Sequence, residues 1–291
     1  MDVLIIDDDK NKTSKIIEHL KGDNISLANN YIEGIKKINS NDYDLLILDM
    51  NFPIREDDKV ANLGEEVLEY LNLRKIYLPT IVYSGDTVNN SEYYNVIGSV
   101  VYGYSLISDE VIQKMKDKAI LYNFLMSDNI TNEIENSMDS LLNIIPEIKD
   151  MIGFLQNNPN HHLDVWGHTL LALSLSNKDY IVRLSLLLHD IGKPHSYQDK
   201  EVRHFNNHPS VSCKMSKEIL DRLYIDNYIK ERVLYLVLNH DTKITKEEIQ
   251  NNYSLASKHY EIQRCDALAH NPNMLESRVE YLDSIQKILK P

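Results

Sequence analysis

The sequence predicts two domains, an α/β doubly wound parallel sheet followed by an all-α helical bundle. Three observations predict it: the length, an asymmetry of charge and histidine between the halves, and a change in apolar spacing near Pro159. A chain of 291 residues exceeds the ~100–200 typical of one domain. Residues 1–150 hold 14 Lys and Arg against 27 Asp and Glu, so the whole net charge of −13 sits there, whereas residues 151–291 hold 17 of each. Of 11 histidines, only His19 precedes residue 151. An acidic half and a histidine-rich half imply two different chemistries.

Within the first half, residues 3–6 form a short apolar run ending in Asp7-Asp8-Asp9. Residues 45–48 end in Asp49, residues 80–83 end in Ser84-Gly85, and residues 100–104 are a further run of this kind. Helix-like stretches at 12–21, 31–38 and 65–73 lie between them. Short buried runs alternating with amphipathic helices indicate a parallel sheet covered on both faces. Residues just beyond the carboxyl ends of such strands converge on one crevice, which is where Asp7, Asp8, Asp49 and Ser84 are expected. Three carboxylates brought together repel unless a hard cation sits among them, and Mg²⁺ suits a few oxygens plus waters. A carboxylate beside a bound cation can attack phosphorus to give an aspartyl phosphate.

These residues resemble the receiver domain of bacterial response regulators over roughly residues 1–120. The match consists of Asp7-Asp8 after the first strand, Asp49 in LLILDM, Pro53 four residues later, Gly64 opening the next helix, and Ser84 ending TIVYS. The resemblance implies a flavodoxin-like fold, Asp49 as phosphoacceptor, Asp7, Asp8 and Asp49 as Mg²⁺ ligands, Ser84 as the phosphoryl-sensing switch, and a histidine kinase or small phosphodonor as partner. Receivers usually carry Lys-Pro after the fifth strand. Here GYSLIS puts Ile107 and Ser108 near that place, and no lysine follows until Lys114. A pseudo-receiver that only mediates contacts is therefore the alternative.

Residues 126–144 read as a helical connector. Ser127-Asp128-Asn129 forms a helix N-cap region, followed by an apolar repeat at Ile130, Ile134, Met138, Leu141 and Leu142. A connector that transmits a shift, an interface and a homodimer stripe explain that repeat equally well.

From residue 145 onward the helical pattern dominates, with apolar spacing at 170–175, 181–188, 211–223 and 228–238. Onto it fall His168, His189-Asp190, His208, His240 and Asp266, each on a different helix or helix end. Imidazole nitrogen with carboxylate oxygen suits a divalent transition metal, and Asp can bridge two ions. A charged pair directly after the apolar run LSLLL is expensive to bury without a metal or partner. Two ions ~3.5–4 Å apart lower the pKa of a bound water and neutralise phosphoryl charge. Lys193, three residues after Asp190, is placed to contact a phosphoryl oxygen; Arg203 can hold a phosphate bidentately, and His195 and His204 can act as acid or base. Trp166, the only tryptophan, reads as core packing.

The pattern His168, His189-Asp190, Asp266 resembles the HD superfamily of metal-dependent phosphohydrolases over residues 145–291. The wording IPEIKDMIGFLQNNPNHHLDVWGHTL, LLHDIGKP, HFNNH and LVLNHD is similar to the HD domain of bacterial CCA-adding tRNA nucleotidyltransferases. The resemblance implies His168, His189, Asp190 and Asp266 around a first ion and His208 and His240 completing a second; Asp190, as the bridging ligand, and Lys193, by its place three residues further on, are the expected catalytic residues. It implies one or two divalent ions, with Mn, Fe, Ni, Co, Zn and Mg not distinguished by the ligand set. The expected function is hydrolysis of a nucleotide or RNA-end phosphoester, such as a 2′,3′-cyclic phosphate, under control of the receiver-like domain at 1–125. A cyclic-dinucleotide phosphodiesterase is the alternative; its GYP signature is missing, since His240-Asp241 runs into TKITKEE. A non-catalytic signalling adaptor is the alternative from another class.

Composition removes other classes. Apolar runs fall short of the ~18–20 residues that span a bilayer, and no basic-then-apolar signal pattern opens the chain, so a cytoplasmic protein is expected. Two cysteines, Cys213 and Cys265, provide no disulfide framework and no Cys-x-x-Cys zinc ligands. Without a basic arm or stripe, broad non-specific duplex binding is not expected, whereas a local basic patch can still grip one phosphate-bearing ligand.

Overall fold

Unbroken runs of Val, Ile and Leu become the central strands of a parallel sheet. The computed structural model describes residues 1–85, 93–101, 107–198 and 202–289. By internal contacts the chain divides into two compact units, Met1–Asn123 with Leu223–Tyr228, and Phe124–Arg222 with Ile229–Pro291.

The first unit runs β1 (Asp2–Ile6), α1 (Lys10–Ile17), β2 (Asn24–Ala28), α2 (Tyr31–Ser40), β3 (Leu45–Leu48), β4 (Asn51–Pro53), β5 (Val60–Asn62), α3 (Gly64–Arg74), β6 (Thr80–Ser84), β7 (Val96–Val101), and most of α4 (Asp109–Met126). The sheet order is β2-β1-β3-β6-β7 with every pair parallel, the flavodoxin-like arrangement. Val3 to Ile6 and all of β3 are buried, as strands covered on both faces must be. The strand order reverses between β1 and β3, so Asp7 and Asp49 follow the two strands that flank the switch point.

The last strand begins at Val96, four residues before the expected run, because Val96 and Ile97 are buried and Val96 pairs with Thr80 of β6. The expected continuation at residues 102–104 lies outside the described residues. Two elements had no strong sequence signal. β2 is an edge strand with only Ala28 buried, and the β4–β5 hairpin contributes one large core residue, Phe52.

The second unit is helical: the end of α4, α5 (Ile130–Asn136), α6 (Met138–Ile144), α7 (Val165–Ser174), α8 (Tyr180–Leu188), α9 (His208–Arg222), α10 (Asn227–Asn239), α11 (Lys246–Asn251), α12 (Tyr253–Leu268) and α13 (Glu276–Leu289). Asn129 caps α5 by accepting from the Asn132 amide, and residues 126–144 fall within this unit. Ile130, Ile134 and Leu141 of the apolar repeat are buried; Met138 and Leu142 are partly so. The buried Arg183 guanidinium fastens the end of α4 by donating to the carbonyls of Leu125 at 2.6 Å and Ser127 at 2.9 Å. No described helix is long and apolar enough to cross a membrane, and both cysteines are free.

Helix α8 positions the site. Every residue from Val182 to Leu188 is buried, so the helix is enclosed all round. The chain leaving its C-terminal end therefore emerges inside the protein, and the first two residues to do so are His189 and Asp190.

Candidate metal centre

Each of the four central histidines is oriented by its own backbone surroundings. His189 Nδ1 lies 2.7 Å from the Leu186 carbonyl, His208 Nδ1 2.7 Å from that of Phe205, His240 Nδ1 2.7 Å from that of Val237, and His168 Nδ1 3.1 Å from that of Ala269. Carbonyls only accept, so Nδ1–H donates in every case. In the neutral ring the lone pair is then on Nε2, which faces the centre, as metal-ligating imidazoles require. Three of these bonds span three residues at a helix end or start. The fourth ties α7 to the end of α12, while Asp164 caps α7 by accepting from the Gly167 amide at 2.7 Å.

Around Asp190 the ligand atoms form two groups. Oδ2 is 3.3 Å from His189 Nε2 and 3.6 Å from His168 Nε2, and Asp266 Oδ1 closes this group at 2.9 Å from His168 and 3.6 Å from His189. Oδ1 is 3.2 Å from His208 Nε2 and 3.9 Å from His240 Nε2. Within each group all ligand atoms lie within 4.8 Å of one another. Asp190, His168 and His189 are completely buried.

Two features fit divalent cations. Asp190 Oδ1 and His189 Nε2 are buried without a hydrogen-bond partner, and Asp190 Oδ2 has only the Lys193 ammonium, as an ion pair at 2.7 Å; such under-satisfied atoms are costly unless a cation satisfies them. His208 and His240 also turn their Nε2 atoms toward each other at 2.9 Å. Two lone pairs at that separation repel, and a cation or a proton between them removes the repulsion.

Electrostatics agree. Burial would push His189 down, but the Asp190 and Asp266 carboxylates outweigh it and raise its pKa to about 10. Burial would raise Asp190, yet His189 and Lys193 hold it well below the carboxylate range. His240, driven chiefly by burial, falls to about 4. The two buried carboxylates thus gather positive charge from His189 and Lys193, and a divalent ion bound there would take the place of the imidazolium proton.

Of these ligands, Asp190, Asp266, His208 and His240 border a cavity of about 390 Å³. Lys193 projects into it with Nζ 2.7 Å from Asp190 Oδ2 and 2.9 Å from Gln156 Oε1, and His204 lines it as well. Arg203 is not among its lining residues. The guanidinium lies 4.9 Å from the ring centres of both Phe154 and Tyr197 and donates to the Leu155 carbonyl, so it is engaged in cation–π and backbone contacts. His195 pairs with Asp150 at 3.2 Å on the surface, and Trp166 is buried in the core.

Four further residues of the centre, His161, His270, Gln156 and Arg278, were not expected from sequence. His161 and His270 stack with centroids 4.2 Å apart beside His168, and burial pushes them to about 2 and about 4. Arg278 approaches Asp266 Oδ2 at 3.4 Å. A signal did exist for two of them: His161 lies in NPNHHLDVW, and His270 follows Asp266 by one helical turn.

In the first unit, Asp7, Asp8 and Asp49 bring carboxylate oxygens within 4.8 Å of one another. Ser84 is buried at the end of β6. Gly64 backs the crevice: a β-carbon there would meet the Asp49 carbonyl at 2.8 Å and Met50 at 2.6 Å. Burial raises Asp7 to about 6, against the lowering effect of Lys12.

Residues 160–280 match the family model described as HD domain, and His168, His189, Asp190, His208, His240 and Asp266 all lie inside that span. This part of the chain is an HD domain, which implies metal-dependent phosphohydrolase chemistry. Among curated proteins the chain is similar to the A-adding tRNA nucleotidyltransferase of Deinococcus radiodurans, 31% identical over 114 residues, covering 36% of this chain. The match spans only 26% of that relative's length. Among solved structures, the CheY-like receiver domain protein of Methanospirillum hungatei is 21% identical, covering 42% of this chain and 95% of its own, with a TM-score of 0.35. The receiver domain of Francisella response regulator 1452 is 22% identical, covering 40% and 95%, with a TM-score of 0.32.

Proposed function

We propose that the second unit hydrolyses a nucleotide or RNA-end phosphoester, such as a 2′,3′-cyclic phosphate, and that the receiver-like unit regulates it in the cytoplasm. The domains are assigned as 1–125 receiver-like, 126–144 connector and 145–291 phosphohydrolase. The observation that carries this reading is Asp190, buried, with one oxygen toward each of two histidine groups and Lys193 beside it.

In this reading His168, His189, Asp190 and Asp266 hold one ion, and Asp190, His208 and His240 hold the other. Bound divalent ions supply Lewis-acid polarisation of the phosphoester and an activated water. The chain's own residues do the rest. Nδ1–carbonyl bonds keep the imidazoles in the ligating tautomer, and Lys193 offers an ammonium to a phosphoryl oxygen from a buried position. His204 lines the same cavity and can serve as general acid or base there. The similarity to part of an A-adding tRNA nucleotidyltransferase supports a nucleotide-type substrate.

The test is elemental analysis of the purified protein combined with a panel of 2′,3′-cyclic, 3′- and 5′-phosphate nucleotides and generic phosphodiesters, in Mn²⁺, Ni²⁺, Co²⁺ and Mg²⁺. Turnover lost in His189→Ala is expected. Bound metal with no turnover of any ester would favour the adaptor reading.

A further inference from the structure

The acidic crevice of the first unit already contains a cation. Lys12, on α1, places Nζ 2.9 Å from Asp7 Oδ2 and 2.7 Å from Asp49 Oδ1. The side chain is only 7% exposed, and its ammonium lies 5.2 Å from the ring centre of Tyr83 on β6. The placement is built in by the chain: Asp9 caps α1 by accepting from the amides of Asn11 at 2.8 Å and Lys12 at 3.2 Å. The three consecutive aspartates therefore divide the work, Asp7 and Asp8 facing the crevice and Asp9 fixing where the helix starts and so where Lys12 points.

A magnesium ion among Asp7, Asp8 and Asp49 needs near-octahedral oxygens at ~2.0–2.1 Å and room for its retained waters. The Lys12 ammonium bridges two of these three carboxylates and occupies one oxygen of each, and Tyr83 flanks it on a further side. Lys12 Nζ holds one oxygen of Asp7 and one of Asp49 at once, so an ion binding between those carboxylates has to move the ammonium off both, whereas Lys193 in the second unit pairs with the single carboxylate of Asp190. Displacing Lys12 would also expose its buried stem and remove a cation–π contact.

We propose that Lys12 is the resident cation of this crevice, and that the first unit does not take up Mg²⁺ at Asp7, Asp8 and Asp49 while Lys12 is in place. The unit is then neutralised in cis and keeps one state with respect to metal and phosphodonor, as a contact module would. This holds whether or not the second unit is a hydrolase.

The experiment is Mg²⁺ titration calorimetry on the full chain as wild type, Asp49→Asn, Lys12→Met and Lys12→Met/Asp49→Asn, with the second unit contributing the same background to all four. Wild type and Asp49→Asn are expected to bind the same number of ions. Lys12→Met is expected to gain one further ion, and the double variant to lose it again. A wild-type site that disappears in Asp49→Asn overturns the proposal, as does a folded Lys12→Met that gains nothing. Should Lys12→Met melt too low to titrate, the wild-type and Asp49→Asn pair still decides, and the melting point of Lys12→Met should then rise with Mg²⁺ while that of Lys12→Arg does not.

Discussion

Gly192 and Ser212 touch so closely that a β-carbon on Gly192 would lie 2.5 Å from the Ser212 backbone nitrogen, while the Gly192 amide donates to Ser212 Oγ at 2.9 Å. This contact seats the start of α9, which carries His208, against the turn that carries Asp190. Gly192→Ala should force the two apart, costing about 1–3 kcal/mol as overpacking does. The expected readout is a lower melting temperature together with loss of roughly one ion per chain by elemental analysis. A variant that melts lower but keeps its full metal content would show that the contact does not position His208.

Metal uptake should expel a proton. His189 is raised to about 10 by Asp190 and Asp266, so at pH 7 it carries a proton that a divalent ion must displace from Nε2. About one proton per first ion is expected, and affinity should climb about tenfold per pH unit below that value. Calorimetry in buffers of different ionisation enthalpy measures the release directly; equal heats in all buffers would contradict it.

Substitutions should divide the centre by stoichiometry. Asp190→Asn touches both ligand groups and is expected to remove both ions, whereas His240→Ala should remove one and leave the other. Activity should fall at least ~10²-fold in each case, given what lost ligation and charge stabilisation typically cost. Elemental analysis and rate measurements on the same preparations check both halves.

Arg203→Gln should act on stability and not on substrate. Its guanidinium contacts the rings of both Phe154 and Tyr197, so the variant is expected to melt lower with KM within about twofold of wild type, while Lys193→Gln should lower kcat/KM by more than about tenfold. A KM that rises tenfold in Arg203→Gln would return that residue to phosphate binding.

The Glu147–Arg222 pair sets a dependence on acid. Burial would raise the Glu147 carboxyl, but two donors from Arg222, at 2.8 and 2.9 Å, hold it below the usual range. A lowered folded-state pKa means that the stabilisation is complete above the unfolded value near ~4.3 and is lost as pH falls through the folded one. Partial exposure limits it to a few tenths to about 1 kcal/mol. Melting curves of wild type and Arg222→Gln should differ at pH 7 and converge in acid.

Much of this was legible in the sequence because it rests on local rules. Unbroken apolar strands announced the parallel sheet, and a polar pair after an enclosed helix announced the centre. The rest depends on long-range contacts. Lys12 looked like any first-turn lysine, and only the convergence of β1 and β3 brings Asp7 and Asp49 onto it. Arg203 has the chemistry of a phosphate ligand, and its aromatic clamp joins residues 154, 197 and 203, which no short spacing connects. His270 is oriented by the end of α12, a helix whose apolar residues did not form a clear run.

The backbone bonds to Nδ1 have a thermodynamic consequence. Four imidazoles are already fixed in rotamer and tautomer by carbonyls of ordinary helical turns and chain ends. Little side-chain entropy then remains to be lost when an ion arrives, because folding has already ordered the ligands. In a zinc finger the ion organises the chain, and chelators unfold it. Here the order is reversed: a chelator should strip the centre and leave the helices standing, so that activity can be withdrawn and restored without refolding.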